Sequence, residues 1–197
     1  METPKLVNVE QVCDGWVKKY LLTYELPNGK TYSYEAASRK GPDAFKTLLE
    51  ANGKGLQRSS ADAVCIVART PRDTLVMERE FRYPLNSWCV ALPAGLVDEG
   101  EDIATCAARE LREETGYAVI PDAPVRPLPQ PGYSSTGLTD ETVHVIFVEA
   151  EIAGPPQREG NELIKVFELP IADIRNFLDA NTLPIGTRAQ LILELFA

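Results

Sequence analysis

Hydrophobic and β-branched residues gather in short runs through the first hundred positions, separated by polar turn signals, and each run predicts a strand. Three come early, Lys5 to Val12, Trp16 to Leu26 and Thr31 to Arg39. Pro27-Asn28-Gly29 separates the last two and marks a hairpin, because Asn and Gly both tolerate positive φ. Residues 40–60 are polar and Gly-rich around one apolar patch, Phe45 to Leu49, which predicts a loop or a helical turn. Ala63 to Ala68 and Thr74 to Phe81 flank Thr70-Pro71-Arg72-Asp73 as a second hairpin, and Trp88 to Leu92 reads as a short strand.

The pattern then changes period. Ile103, Ala104, Ala107, Ala108 and Leu111 recur at three and four, an apolar stripe that predicts a helix from about Asp102 to Gly116 with its stripe against a sheet. Acidic residues fall at its start, and Gly116 suits the left-handed conformation that ends a helix. Five prolines from Pro121 to Pro131 exclude regular structure there. Glu141 to Glu151 and Leu163 to Leu169 predict strands, and Pro170 to Ala180 and Thr187 to Phe196 predict helices. The fold class expected is α/β, a mixed sheet between helices around one core.

Composition narrows the partners. At 197 residues, 44% hydrophobic and 25% charged, the chain is a globular domain of ordinary size. Its net charge of −9 argues against a nucleic-acid backbone or an anionic bilayer as partner. An anionic ligand would need a recruited cation. The longest apolar runs, Val143 to Val148 and Leu191 to Phe196, fall far short of the roughly 20 residues that cross a bilayer. No secretory signal is readable at Met1 to Leu6, so a cytoplasmic protein is expected. Cys13, Cys65, Cys89 and Cys106 form no Cys-x-x-Cys and read as reduced, buried thiols.

The chemistry gathers on the predicted helix. Glu110, Glu113 and Glu114 stand at i, i+3 and i+4, a spacing that predicts one shared face opposite the apolar stripe. Like charges so spaced oppose a helix by a few tenths of a kcal/mol per pair (about 0.2–0.5). Such a face is either a solvated surface or a site for a hard cation, Mg²⁺ or Mn²⁺.

The wider pattern decides between them. Gly95, Glu101 and Arg109-Glu110-Leu111-Arg112-Glu113-Glu114-Thr115-Gly116-Tyr117 follow the spacing Gly-x5-Glu-x7-Arg-Glu-U-x-Glu-Glu-x-Gly-U, with U usually aliphatic. This resembles the Nudix box at every fixed position, a match expected by chance on the order of once in a million. Tyr117 at the closing U is its one departure. The resemblance implies a Nudix fold, an α/β/α sandwich, hydrolysing a diphosphate linked to another moiety. It implies metal binding by Glu110, Glu114 and the carbonyl of Ala94, with Glu113 as a further ligand or beside them. Gly95 would allow close approach, and Glu101 and Arg109 would pair to brace loop against helix.

The flanks resemble the ADP-ribose pyrophosphatase (ADP-sugar diphosphatase) branch. The segments are Glu80-Phe81-Arg82-Tyr83-Pro84, Leu92-Pro93-Ala94-Gly95, Pro131-Gly132-Tyr133-Ser134, and Gly15 to Lys19 through Tyr34-Glu35 to Ser38-Arg39. That resemblance implies that Trp16 and Tyr34 sandwich an adenine, that Arg39 and Arg82 face the diphosphate and ribose, and that Glu35 belongs to the same substrate site. It also implies a homodimer completed by N-terminal strands, with residues 1–60 as those strands and 61–197 as the hydrolase domain. Where the branch commonly has Glu before Leu-Pro-Ala-Gly, this chain has Ala91.

For a general base, His144 lies within an apolar strand and reads as a satisfied core residue. Glu162 matches a loop glutamate that the branch brings over the metals, with Glu159 or Glu113 as substitutes. The expected activity is Mg²⁺-dependent (Mn²⁺ possible) hydrolysis of ADP-ribose or a related ADP-sugar to AMP and a sugar phosphate. Two rivals stay open: a Nudix hydrolase of another nucleoside diphosphate or triphosphate derivative, and a nucleotide-binding Nudix sensor that does not cleave.

Overall fold

The computed structural model describes residues 3–55, 60–158 and 160–197. In chain order the first elements are β1 (Lys5–Cys13), β2 (Lys18–Glu25), β3 (Thr31–Ser38), α1 (Pro42–Gly53), β4 (Ala63–Arg69), β5 (Thr74–Arg82), β6 (Ser87–Ala91) and β7 (Ala94–Leu96). They are followed by α2 (Ile103–Thr115), β8 (Tyr117–Val119), β9 (Arg126–Pro127), β10 (Gly132–Tyr133), β11 (Thr142–Ile152), β12 (Ile164–Pro170), α3 (Ile174–Ala180) and α4 (Thr187–Phe196). Two compact units result, Met1–Ala61 with Pro131–Val143, and Asp62–Gln130 with His144–Ala197.

In the first unit β1, β2 and β3 form an antiparallel sheet in sequence order. The β2–β3 hairpin turns at Pro27-Asn28-Gly29, as expected. Gly29 alone takes positive φ, at 77°, and its N–H reaches the Leu26 carbonyl at 2.9 Å. Leu26 N–H in turn donates to the Lys30 carbonyl, so the loop holds three residues and closes on a left-handed glycine. The stretch expected as a loop or helical turn carries the full helix α1. Its start offers only Gly41 and Pro42, without a side-chain cap. Packing supplies what capping does not, with Phe45 buried and its ring 4.6 Å from that of Tyr20.

The second unit is built on the order β11-β4-β5-β12, with β6 beside β5, β7 beside β4, and β8 and β9 beside β11. Side chains alternate across this sheet, so Val64, Ile66 and Ala68 of β4 and Ile146, Val148 and Ala150 of β11 enter one core with Cys106, Ala107 and Leu111 of α2. The helix α2 lies against β4, β7 and β8, and α4 against β6. This is the mixed α/β architecture expected. Within the proline-rich stretch, Arg126–Pro127 still pairs with Ile146 and Phe147, because a two-residue bridge needs few ladder donors. Cys65, Cys89 and Cys106 are buried thiols, whereas Cys13 is exposed. Among the described residues no helix is long and apolar enough to cross a membrane.

Candidate active site

The carboxylates owe their placement to the ends of α2. Asp102 caps the helix, its Oδ1 accepting from the N–H groups of Ala104 and Thr105 at 3.0 and 3.1 Å. The first turn itself holds no acid, so the acidic start is the cap alone. Gly116 ends the helix at φ 77°, where a β-carbon would meet the Gly154 carbonyl oxygen at 2.2 Å. Glu110, Glu113 and Glu114 therefore fall in the last two turns, at the negative end of the helix dipole. Local electrostatics disfavour them there.

Arg109 offsets part of this cost. Its Nε and Nη2 donate to Oε1 and Oε2 of Glu101, both at 2.9 Å, a forked pair that ties the loop to the helix. Nη2 also reaches the Leu96 carbonyl at 3.1 Å, and Nη1 reaches Glu110 at 2.8 Å and Glu113 at 3.2 Å. The guanidinium holds the Glu101 carboxyl at about 2, well below its ordinary range.

Glu114 is not on a solvated face. It is 6% exposed, and its Oε2 accepts from the Ala94 N–H at 3.0 Å. Burial pushes its carboxyl upward, and the charge of Glu78 pushes it further. Glu78 lies on β5 opposite Ala91 of β6 and is 1% exposed. Its Oε1 has no hydrogen-bond partner among the described residues, and burial followed by the charge of Glu80 raises its carboxyl too. Sequence reading missed Glu78. The available signal was an acid continuing the apolar run Leu75-Val76-Met77 of a strand.

Gly95 faces the same group. A β-carbon there would lie 1.9 Å from the Glu110 carboxyl carbon, so the glycine makes the room that Glu110 fills. Burial first, and then Glu113 and Glu162 among others, raise the Glu110 carboxyl. Glu162 acts in the same sense on Glu78 and Glu80, which puts this loop residue within electrostatic reach of the cluster. Arg82 pairs with Glu80 at 2.7 Å. Arg158 ties the end of α2 to β12 through the carbonyls of Glu114 and Ile164, both at 2.7 Å. Glu159 lies outside the described residues.

A sequence model of the NUDIX domain matches residues 59–187, about two thirds of the chain. The chain belongs to the Nudix family. Among relatives, a Saccharomyces cerevisiae ADP-ribose pyrophosphatase is 32% identical over 79% of this chain and 64% of that protein. A Mus musculus ADP-sugar pyrophosphatase is 32% identical over 94% of this chain and 80% of its own length. A Bacillus subtilis ADP-ribose pyrophosphatase is 30% identical, covering 89% and 83%. The fold matches the crystal structure of an ADP compounds hydrolase with a TM-score of 0.72 at 20% identity, covering 99% of this chain and 92% of that one. The expectation of a Nudix enzyme related to ADP-ribose pyrophosphatases is borne out.

The Nudix cluster is not a finished metal cage. No three Asp, Glu, His or Cys side chains among the described residues stand close enough to form one. Arg109 engages Glu110 and Glu113. A cation nevertheless fits the donor set: a buried, unpartnered carboxylate oxygen on Glu78, and a glycine cradle for Glu110. His144 is 7% exposed with Nε2 2.7 Å from the Leu128 carbonyl, the satisfied core role expected of it.

The remaining expected residues belong to the first unit. Trp16 is 75% exposed. The Tyr34 hydroxyl donates to the Gly137 carbonyl at 2.8 Å, Glu35 pairs with Lys19 at 2.8 Å, and Arg39 pairs with Glu141. Tyr34 also helps line a largely apolar cavity of about 490 Å³ with Leu22, Tyr24, Tyr32, Phe45 and Tyr133.

Proposed function

We propose that this protein hydrolyses the diphosphate of ADP-ribose or a related ADP-sugar, with Mg²⁺ or Mn²⁺, releasing AMP and a sugar phosphate. The observation that carries this reading is the buried Glu114 carboxylate, fixed by the Ala94 N–H at the end of an intact Nudix box. The substrate class follows the relatives, two of which are ADP-ribose pyrophosphatases and a third an ADP-sugar pyrophosphatase.

Glu110, Glu113, Glu114 and the carbonyl of Ala94 would hold the cation. When bound, it neutralises diphosphate charge and acidifies a water, which reconciles a protein of net charge −9 with an anionic substrate. The chain's own residues do the rest. Arg109, through Glu101 and the Leu96 carbonyl, locks β7, which carries Gly95, and the loop after it to α2, so the carboxylates meet the substrate preorganised. Glu162 accepts a proton as water attacks phosphorus, with Glu113 as the substitute base. The P–O bond to the bridging oxygen breaks, and AMP and the sugar phosphate leave without a covalent intermediate.

Arg82 and Arg39 offer forked donors to phosphate and ribose oxygens. For Arg39 this means exchanging Glu141 for substrate. Trp16 and Tyr34 stack on the adenine, and Glu35 accepts from the nucleoside. A homodimer built through the strands of residues 1–60 is part of this reading.

The deciding experiment is a panel of nucleoside diphosphate derivatives and nucleoside triphosphates with Mg²⁺, read by chromatography. ADP-ribose should yield AMP and ribose phosphate. Turnover of a triphosphate with none of ADP-ribose rejects the substrate, and tight ADP-ribose binding without AMP release rejects catalysis.

A further inference from the structure

We propose that Glu78 is a further metal-binding residue, whose carboxylate shares a divalent cation with Glu114. The inference rests on the metal-dependent reading above and adds a ligand from outside the Nudix box.

Three observations carry it. First, Glu78 is 1% exposed, and its Oε1 meets no donor among the described residues. Unmatched buried carboxylates are strongly destabilising, so their retention calls for compensation from something the chain itself lacks. Secondly, the nearby cationic side chains are engaged elsewhere. Arg158 donates to the backbone carbonyls of Glu114 and Ile164, and Arg82 pairs with Glu80.

Thirdly, the residue opposite Glu78 is small. Glu78 faces Ala91 across the β5–β6 ladder, and side chains directly opposite on antiparallel strands are close neighbours. Ala91 contributes only a methyl group, so the glutamate has space at this level of the sheet. The Ala94 N–H, three residues past Ala91, fixes Oε2 of Glu114. Two buried carboxylates, one with an unpartnered oxygen, fit a divalent ion held between them. Carboxylates on β5 and α2 would then share it, one from the sheet and one from the helix.

The test is binding of Mn²⁺ alone to the full chain, with free Mn²⁺ read by electron paramagnetic resonance, alongside thermal unfolding in EDTA. Wild type is compared with Glu78→Gln, Glu78→Met and Glu114→Gln. Glu78→Gln should weaken Mn²⁺ binding by at least about tenfold. In EDTA Glu78→Met should melt above wild type, because the buried unpartnered carboxyl group is gone, and Glu78→Gln should melt no lower than wild type. Glu78→Met keeps the volume without the polar group and so tests the site even if the amide perturbs folding.

Glu78 variants that bind Mn²⁺ like wild type, while Glu114→Gln does not, overturn the role of Glu78 and leave the metal reading intact. Variants that lose both Mn²⁺ affinity and melting temperature overturn it as well, since that marks a structural residue. Wild type and Glu114→Gln binding Mn²⁺ alike, or not at all, overturn the metal reading and the Glu78 inference together.

Discussion

The Glu110 carboxylate occupies the space above the α-carbon of Gly95: a β-carbon there would stand 1.9 Å from its carbon and 2.0 and 2.4 Å from its oxygens. Those atoms end a flexible side chain, so Gly95→Ala is relieved by rotating Glu110 and not by moving backbone. The fold should tolerate the change, with a melting shift below about 3 °C, the equivalent of ~1 kcal/mol. The displaced carboxylate should lower kcat/KM at least about tenfold, or ~1.4 kcal/mol of transition-state stabilisation. Wild-type kcat/KM for the variant would show that Glu110 needs no such room.

Glu114→Gln preserves shape, and the amide oxygen still accepts from the Ala94 N–H. Only the buried charge is lost. Turnover should fall at least about a hundredfold, ~2.7 kcal/mol, while stability holds or rises. Steady-state kinetics and thermal unfolding together check this, and near-normal kcat would remove Glu114 from the site.

Much of the site was legible because its signals are local. Asp102 and Gly116 bound α2 through their own cap chemistry, and side-chain spacing gathered Glu110, Glu113 and Glu114. Resemblance alone supplied the Glu101–Arg109 brace, which spans loop and helix. The burial of Glu114 was illegible, since spacing along a helix says nothing of what covers it; here β7 does so through Ala94. Glu78 was hidden for the same reason, its meaning lying in the register with Ala91. The full length of α1 was missed because its stretch is polar and Gly-rich around one short apolar patch, whereas its stability comes from Phe45 against Tyr20.

The Glu101–Arg109 pair predicts a pH effect on stability. Arg109 holds the folded-state carboxyl at about 2, against an ordinary value of 4.5. A depressed folded value means the unfolded chain takes the proton more readily. The stabilisation is therefore complete above about pH 4.5 and is lost as pH falls towards 2. Glu101→Gln should be less stable than wild type at neutral pH and should lose less stability on acidification through that window. Denaturant unfolding at stepped pH measures both slopes, and parallel slopes would mean that the pair contributes nothing to folding.

Trp16 is the most informative substrate-side target because the fold has little need of it. An indole 75% exposed in the loop between β1 and β2 stabilises the unit little, so Trp16→Ala should change stability by less than about 0.5 kcal/mol. Stacking of an aromatic ring on a nucleobase is worth ~1–3 kcal/mol. If Trp16 lies against adenine in ground and transition states alike, its removal raises KM by roughly 5- to 150-fold and leaves kcat near wild type. Kinetics with ADP-ribose, paired with a melting curve, separate the cases. A proportionate fall in kcat would place Trp16 in the chemical step, and an unchanged KM would take it out of the pocket.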